Sequence, residues 1–181
     1  PYVQDRVIHD ADAHTMEPPE WLNEFAPKTV IEYFAEHFSK SSNELLADIE
    51  RCRDLQASET FRETAEQEIM SRKNFQAKGA WNSSDRSQAL DYLGFSSQLV
   101  FPTMPNTVLE AMEHEAPAKL TYATADAANQ AQIAFCKSDP RLLPVAYIPL
   151  QDLEIASSCA ERALNLGAAA LLIPNRMPKN H

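Results

Sequence analysis

Downstream of residue 96 the chain repeats one pattern: short, nearly continuous apolar runs separated by longer segments whose apolar positions recur at helical spacing. The runs are Ser97-Gln-Leu-Val-Phe101, stopped by Pro102; Leu142-Leu-Pro-Val-Ala-Tyr-Ile148; and Ala168 to Ile173, closed by Pro174. Each predicts a short strand. Between them, Ala118 to Lys137 is alanine-rich, lacks Gly and Pro, and predicts a long helix that Asp139-Pro140 ends. Asp152 to Leu166 predicts another, with Gly167 at its C-terminus. Just upstream, Ser84 to Tyr92 predicts a short helix with Ser84 as N-cap and Gly94 as its stop.

The N-terminal part is more polar. Arg6-Val7-Ile8-His9 predicts a short strand ending in the polar run Asp10 to His14, and Glu17-Pro18-Pro19-Glu20 breaks it. Pro19-Glu20-Trp21-Leu22 can open a helical turn with Pro at its first position. Asn43 to Lys73 carries Leu45, Ile49, Cys52 and Leu55 at a spacing of three or four, which predicts one amphipathic helix, or two, lying over a surface. Lys78 to Ser84 predicts a loop. Apolar runs without polar alternation mean strands covered on both faces, so strands alternating with helices predict an α/β fold with a parallel sheet. A doubly wound sheet and a (β/α)8 barrel both satisfy the pattern.

Composition narrows the class. At 181 residues the chain is shorter than the ~250 residues usual for an α/β barrel, which suggests one domain or part of a larger one. Hydrophobic residues make up 44%, enough for a core. Sixteen Lys and Arg against 26 Asp and Glu give a net charge of −10 without a basic patch, which argues against a nucleic-acid partner. No apolar run approaches the ~18 residues of a membrane span, and PYVQDRVIHD reads as no targeting leader. Cys52, Cys136 and Cys159, odd in number and widely spaced, read as reduced thiols, so the expected location is the cytoplasm. Only three glycines occur, and no Gly-rich phosphate loop can be written from them.

In parallel α/β architectures chemistry gathers at the C-terminal ends of the strands. Four such ends can be read: His9-Asp10-Ala11-Asp12-Ala13-His14, Pro102-Thr103-Met104, Pro149-Leu150-Gln151-Asp152 and Pro174-Asn175-Arg176. The first is the densest. Asp12 and His14 stand two apart, so on an extended backbone both project to one side and can offer a carboxylate oxygen and an imidazole nitrogen to a divalent ion. His9 and Asp10 are expected to point elsewhere, with Asp10 able to orient a ligand from behind. The same string also suits a solvated turn or a helix cap. Two ligands are too few for a tight site, and His37, His114 and His181 follow no strand.

Other chemistry finds little support. No G-x-S-x-G elbow exists, and Cys136 and Cys159 fall in helices, where core packing is the expected role. Trp21 and Trp81 can line a pocket or pack. Asn175 and Arg176, just after a strand, are candidates for binding a substrate carboxylate, or for a loop salt bridge.

Val7-Ile8-His9-Asp10-Ala11-Asp12-Ala13-His14, followed by Glu17-Pro18-Pro19-Glu20-Trp21-Leu22, resembles the opening of the amidohydrolase-related family. This branch of the amidohydrolase superfamily includes aminocarboxymuconate-semialdehyde decarboxylase and resorcylate-type decarboxylases. The resemblance continues through Arg86-Ser-Gln-Ala-Leu-Asp-Tyr-Leu-Gly94, Gln98-Leu-Val-Phe-Pro-Thr103, Asp139-Pro-Arg-Leu142, Pro144-Val-Ala-Tyr-Ile-Pro-Leu150 and Leu166 to Asn175. It implies that Asp12 and His14 hold a divalent metal, zinc ahead of manganese or iron. It implies an α/β fold in which residues 1–181 are the first four βα units of a (β/α)8 TIM barrel, with a helical insertion over about 30–75 after the first strand. Family members run to roughly 300–400 residues, within the range of barrels with insertions. Their remaining metal ligands follow later strands, so the catalytic residues are expected outside this half.

The expected function is therefore a metal-dependent hydrolase or a non-oxidative decarboxylase acting on a small carboxylated or cyclic molecule. The alternative is a catalytically silent half-barrel that serves as an assembly or binding module. Two open sheet edges predict a homo-oligomer, a dimer in the simplest case.

Overall fold

The computed structural model describes residues 1–41 and 43–176. Four strands, β1 (His9–His14), β2 (Ser97–Phe101), β3 (Leu142–Tyr147) and β4 (Ala170–Leu172), form one all-parallel sheet in the order β1-β2-β3-β4. The order never reverses, so there is no switch point of the kind that defines a doubly wound sheet. A sheet that adds each new strand beside the last is compatible with a barrel segment.

Seven helices surround it among the described residues: α1 (Lys28–Ser41), α2 (Asn43–Ala57), α3 (Glu59–Thr64), α4 (Ser83–Leu93), α5 (Met104–Glu115), α6 (Ala118–Cys136) and α7 (Leu153–Leu166). The strand ends, α6 and α7 fall close to the sequence reading. Asp152 caps α7 by accepting from the Glu154 and Ile155 amides at 3.0 and 3.1 Å, and Gly94 and Gly167 end α4 and α7 with positive φ.

Four expectations need correction. The first strand is not Arg6–His9 but the polar run itself, His9–His14, in which Ala13 alone is buried. Its backbone bonds to β2 require no apolar side chains, and Val7 is exposed. The N-cap of α4 is Asn82, whose side chain accepts from the Ser84 and Asp85 amides, rather than Ser84. Residues 19–22 form turns, not a helix. Burial on both faces holds for β3 but not for β2, whose residues alternate.

The helices after β1 do more than lie over a surface. Val30 and Phe34 of α1, Ile49 and Cys52 of α2, and Phe75 join Val108, Leu109 and Met112 of α5 and Ala125 and Ala128 of α6 in the main core. Trp21 packs against Phe135 and Trp81 against Phe75, so both tryptophans take the packing role. All three cysteines are buried and free.

Candidate functional site

β1 carries the candidate site because its polar side chains lie along a cleft of about 620 Å³. Ile8 to His14 line it together with Ile69, Met70, Arg72, Lys73, Asn74, Ala77, Lys78 and Arg86. Asp12 and His14 come together there as the spacing predicts, with His14 Nε2 3.2 Å from Asp12 Oδ1. The Asp12 side chain is 89% exposed and that of His14 45%, so both are open to a ligand. The His14 ring is stacked on Phe101, centroids 5.7 Å apart, which limits its rotation.

The pair suits a shared ion in its donor chemistry and its spacing. Two donors, each ~2.0–2.1 Å from one zinc at a tetrahedral angle, stand about 3.3 Å apart. The same separation is an ordinary hydrogen bond in the metal-free protein. Among the described residues no group of three or more His, Cys, Asp or Glu side chains converges to complete a site. His37 and His114 lie elsewhere, and His181 is outside the described residues.

His9 and Asp10, expected to point elsewhere, line the same cleft. The register of β1 against β2 shifts between Asp10 and Ala13, which breaks the simple alternation expected of the strand. The Asp10 carboxylate accepts from the Asp12 backbone amide at 3.0 Å and from Gln98 Nε2 at 3.0 Å. Gln98, buried, accepts in turn from Arg86 Nε at 2.9 Å. Arg86 is also buried and donates from Nη1 to the carbonyls of His14 at 3.1 Å and Gly79 at 3.3 Å. Burial pulls the Arg86 guanidinium below its ordinary pKa, with Asp10 opposing. This line from Arg86 through Gln98 to Asp10 fixes the backbone that presents both candidate ligands.

Asn175 and Arg176 are exposed in the turn after β4 and do not line the cleft. β1 and β4 are opposite edges of the sheet, three strand spacings or about 14 Å apart. The cleft instead holds Arg72, Lys73, Lys78 and Arg86, a concentration of cations in an acidic chain. Arg72 lies over the Phe61 ring at 4.1 Å and pairs with Glu68; Lys78 pairs with Asp85 at 2.7 Å.

Two further side chains were not singled out by the sequence reading. Thr103, at the end of β2, places its hydroxyl 3.1 Å from His14 Nδ1. Glu17, wholly buried, accepts from the backbone amides of Thr103 and Met104 and from the Thr15 hydroxyl. Desolvation raises the Glu17 carboxyl to about 7 against those hydrogen bonds. Both stand in the stretches that carry the family resemblance, but no role was read for either, and only the strand-end position of Thr103 hinted at one. Burial pushes the Cys136 and Cys159 thiols up to about 12, which keeps both as thiols at neutral pH.

No protein-family model matches this chain, and no curated protein matches it.

Proposed function

We propose that this chain carries one part of a divalent-metal site in a hydrolase or non-oxidative decarboxylase that acts on a small carboxylated or cyclic molecule. The observation that carries the reading is the convergence of Asp12 and His14, 3.2 Å apart, at the C-terminal end of the first strand of an all-parallel sheet and on the wall of a cleft. The proposed frame is the first four βα units of a metal-dependent (β/α)8 barrel of the amidohydrolase-related type, in the cytoplasm.

Asp12 and His14 would hold the ion, zinc ahead of manganese or iron. When bound, the ion supplies Lewis acidity toward a carbonyl or carboxylate. The protein's own part is to keep the pair in place: Asp10 holds the Asp12 amide, Arg86 holds the His14 carbonyl, and Phe101 limits the ring. Asn175 and Arg176 would meet a substrate carboxylate there only if the C-terminal turn is drawn toward β1. Catalytic groups and further ligands are expected outside the described residues.

Zinc titration calorimetry tests the reading. Wild type is expected to bind zinc, and Asp12→Ala and His14→Ala to weaken binding at least tenfold with unchanged circular dichroism. Binding that ignores both substitutions overturns the assignment.

A second reading, a metal-free assembly module, draws on a different observation. The outer edges of β1 and β4 are unpaired among the described residues, and Leu171 and Ile173 are exposed beside the latter. A second copy of this chain would cover them. The calorimetry separates the readings, because a module of this kind binds no zinc at β1.

A further inference from the structure

We propose that Glu17 and Thr103 form a brace that positions the His14 imidazole, Glu17 acting through Thr103. The inference rests on the metal-site reading for its consequence, while the brace itself is a matter of geometry.

The hydrogen-bond pattern at the start of α5 carries the argument. Thr103 is the N-cap residue of α5, where a threonine hydroxyl ordinarily accepts from an amide of the first turn. Here it makes no capping bond. Pro105 has no N–H to offer, and the Thr103 hydroxyl turns to His14 Nδ1 instead, at 3.1 Å. The capping duty passes to a side chain from the other end of the β1 loop. Glu17 takes the Met104 amide at 2.8 Å and the Thr103 amide at 3.1 and 3.2 Å, one contact to each carboxyl oxygen. A carboxylate at a helix N-terminus meets the positive end of the helix dipole, which offsets part of the cost of burying it.

Glu17 is in turn fixed on its far side. The fully buried Thr15 hydroxyl contacts it, and Gln132 lies 3.1 Å from the same hydroxyl while its own amide donates to the Val100 carbonyl at 3.1 Å. Thr15 and Gln132 are both wholly buried. The loops after β1 and β2 are thus tied at one point, and the freed Thr103 hydroxyl is held against His14.

A hydroxyl is the partner this ring needs. In the tautomer that gives Nε2–H to the Asp12 carboxylate, Nδ1 accepts from the Thr103 hydroxyl. An ion held by Nε2 would leave the ring proton on Nδ1, and the Thr103 hydroxyl would then accept from it. A carboxylate at this place would serve only the second state, whereas a threonine serves both.

Two measurements on the whole chain test the brace. The first is the 15N spectrum of His14 without metal. Wild type is expected to show Nε2 protonated and Nδ1 hydrogen-bonded; Thr103→Val loses the Nδ1 hydrogen-bond shift, Thr103→Ser restores it, and Glu17→Gln moves it part of the way. The second is zinc chloride titration. Thr103→Val and Glu17→Gln are expected to weaken binding about tenfold, the usual effect of losing a partner of a ligating histidine, and Thr103→Ser to stay within twofold of wild type. If Glu17→Gln fails to fold, the Val and Ser variants at 103 still decide the contact with His14, and Glu17→Asp replaces it as the remote substitution. A Nδ1 signal identical in wild type and Thr103→Val overturns the brace whatever the metal does. A His14→Ala variant that binds zinc like wild type overturns the metal reading instead, and leaves the spectrum to judge the brace.

Discussion

Glu17 carries the clearest residue-scale consequence of burial. Its carboxyl titrates near 7 in the folded chain, raised from an ordinary value of 4.5 by desolvation that outweighs four hydrogen bonds. Above pH 7 the folded protein therefore holds a buried charge, while the unfolded chain ionises the same group freely above 4.5. The folded state binds the extra proton between those limits, so this group's contribution to stability is present below about 4.5 and is lost as pH rises through 7. A shift of this size corresponds to about 3 kcal/mol. The stability of Glu17→Gln minus that of wild type, followed by urea denaturation from pH 4 to 8, is expected to rise by an amount of that order. A difference that stays flat across the window means that Glu17 is solvated. None of this was legible in the string Glu17-Pro18-Pro19-Glu20, which reads as a strand breaker. The role depends on Thr103, 86 residues further along, and on burial that only the packed helices create. Asp12 and His14 were legible because their pairing is local to one strand.

At the scale of elements, legibility follows how far an element's pattern can be explained by its own sequence. α6 and α7 were readable from an alanine-rich stretch and a cap-to-glycine frame. α5 was not, since Pro102 and Pro105 suggest a break. Its apolar positions Val108, Leu109 and Met112 gain meaning only against α1, α2 and α6. β1 begins three residues later and ends five residues later than expected, because Val7-Ile8 looked more strand-like than the polar run to His14. The loop before α4 contains another hidden constraint. Gly79 has φ +73, and a Cβ there would lie 2.4 Å from the Arg86 Cα and 2.5 Å from its nitrogen, both backbone atoms that cannot step aside. Gly79→Ala is expected to cost more than the 1–2 kcal/mol of the left-handed conformation alone, read as a lower urea midpoint at unchanged slope. Because Gly79 and His14 carbonyls share the Arg86 donor, the same variant should also weaken zinc binding at β1. A variant as stable as wild type would show that the loop relaxes away from α4.

Over the whole molecule, the apolar surface left open is unevenly placed. Of the ten large hydrophobic residues exposed among the described residues, Leu153, Ile155, Leu164, Leu166, Leu171 and Ile173 lie in or next to α7 and β4. α7 buries Ala156, Cys159 and Ala163 against α6 and the end of β3 and leaves apolar side chains on both flanks of that stripe. β4 meanwhile offers unpaired backbone groups along its outer edge, and β1 does so at the opposite end of the sheet. The two edges run parallel, so the β4 edge of one copy can accept the β1 edge of another without reversing either chain. Sedimentation velocity on the 181 residues is expected to give the mass of two chains at micromolar concentration. Leu171→Lys combined with Ile173→Lys should return the mass of one, because charged side chains on an edge strand oppose pairing. A wild-type monomer that keeps its circular dichroism and binds no hydrophobic dye would mean that the α7 flanks and the β4 edge are tolerated in water. The four-stranded sheet and its helices would then stand as a monomer.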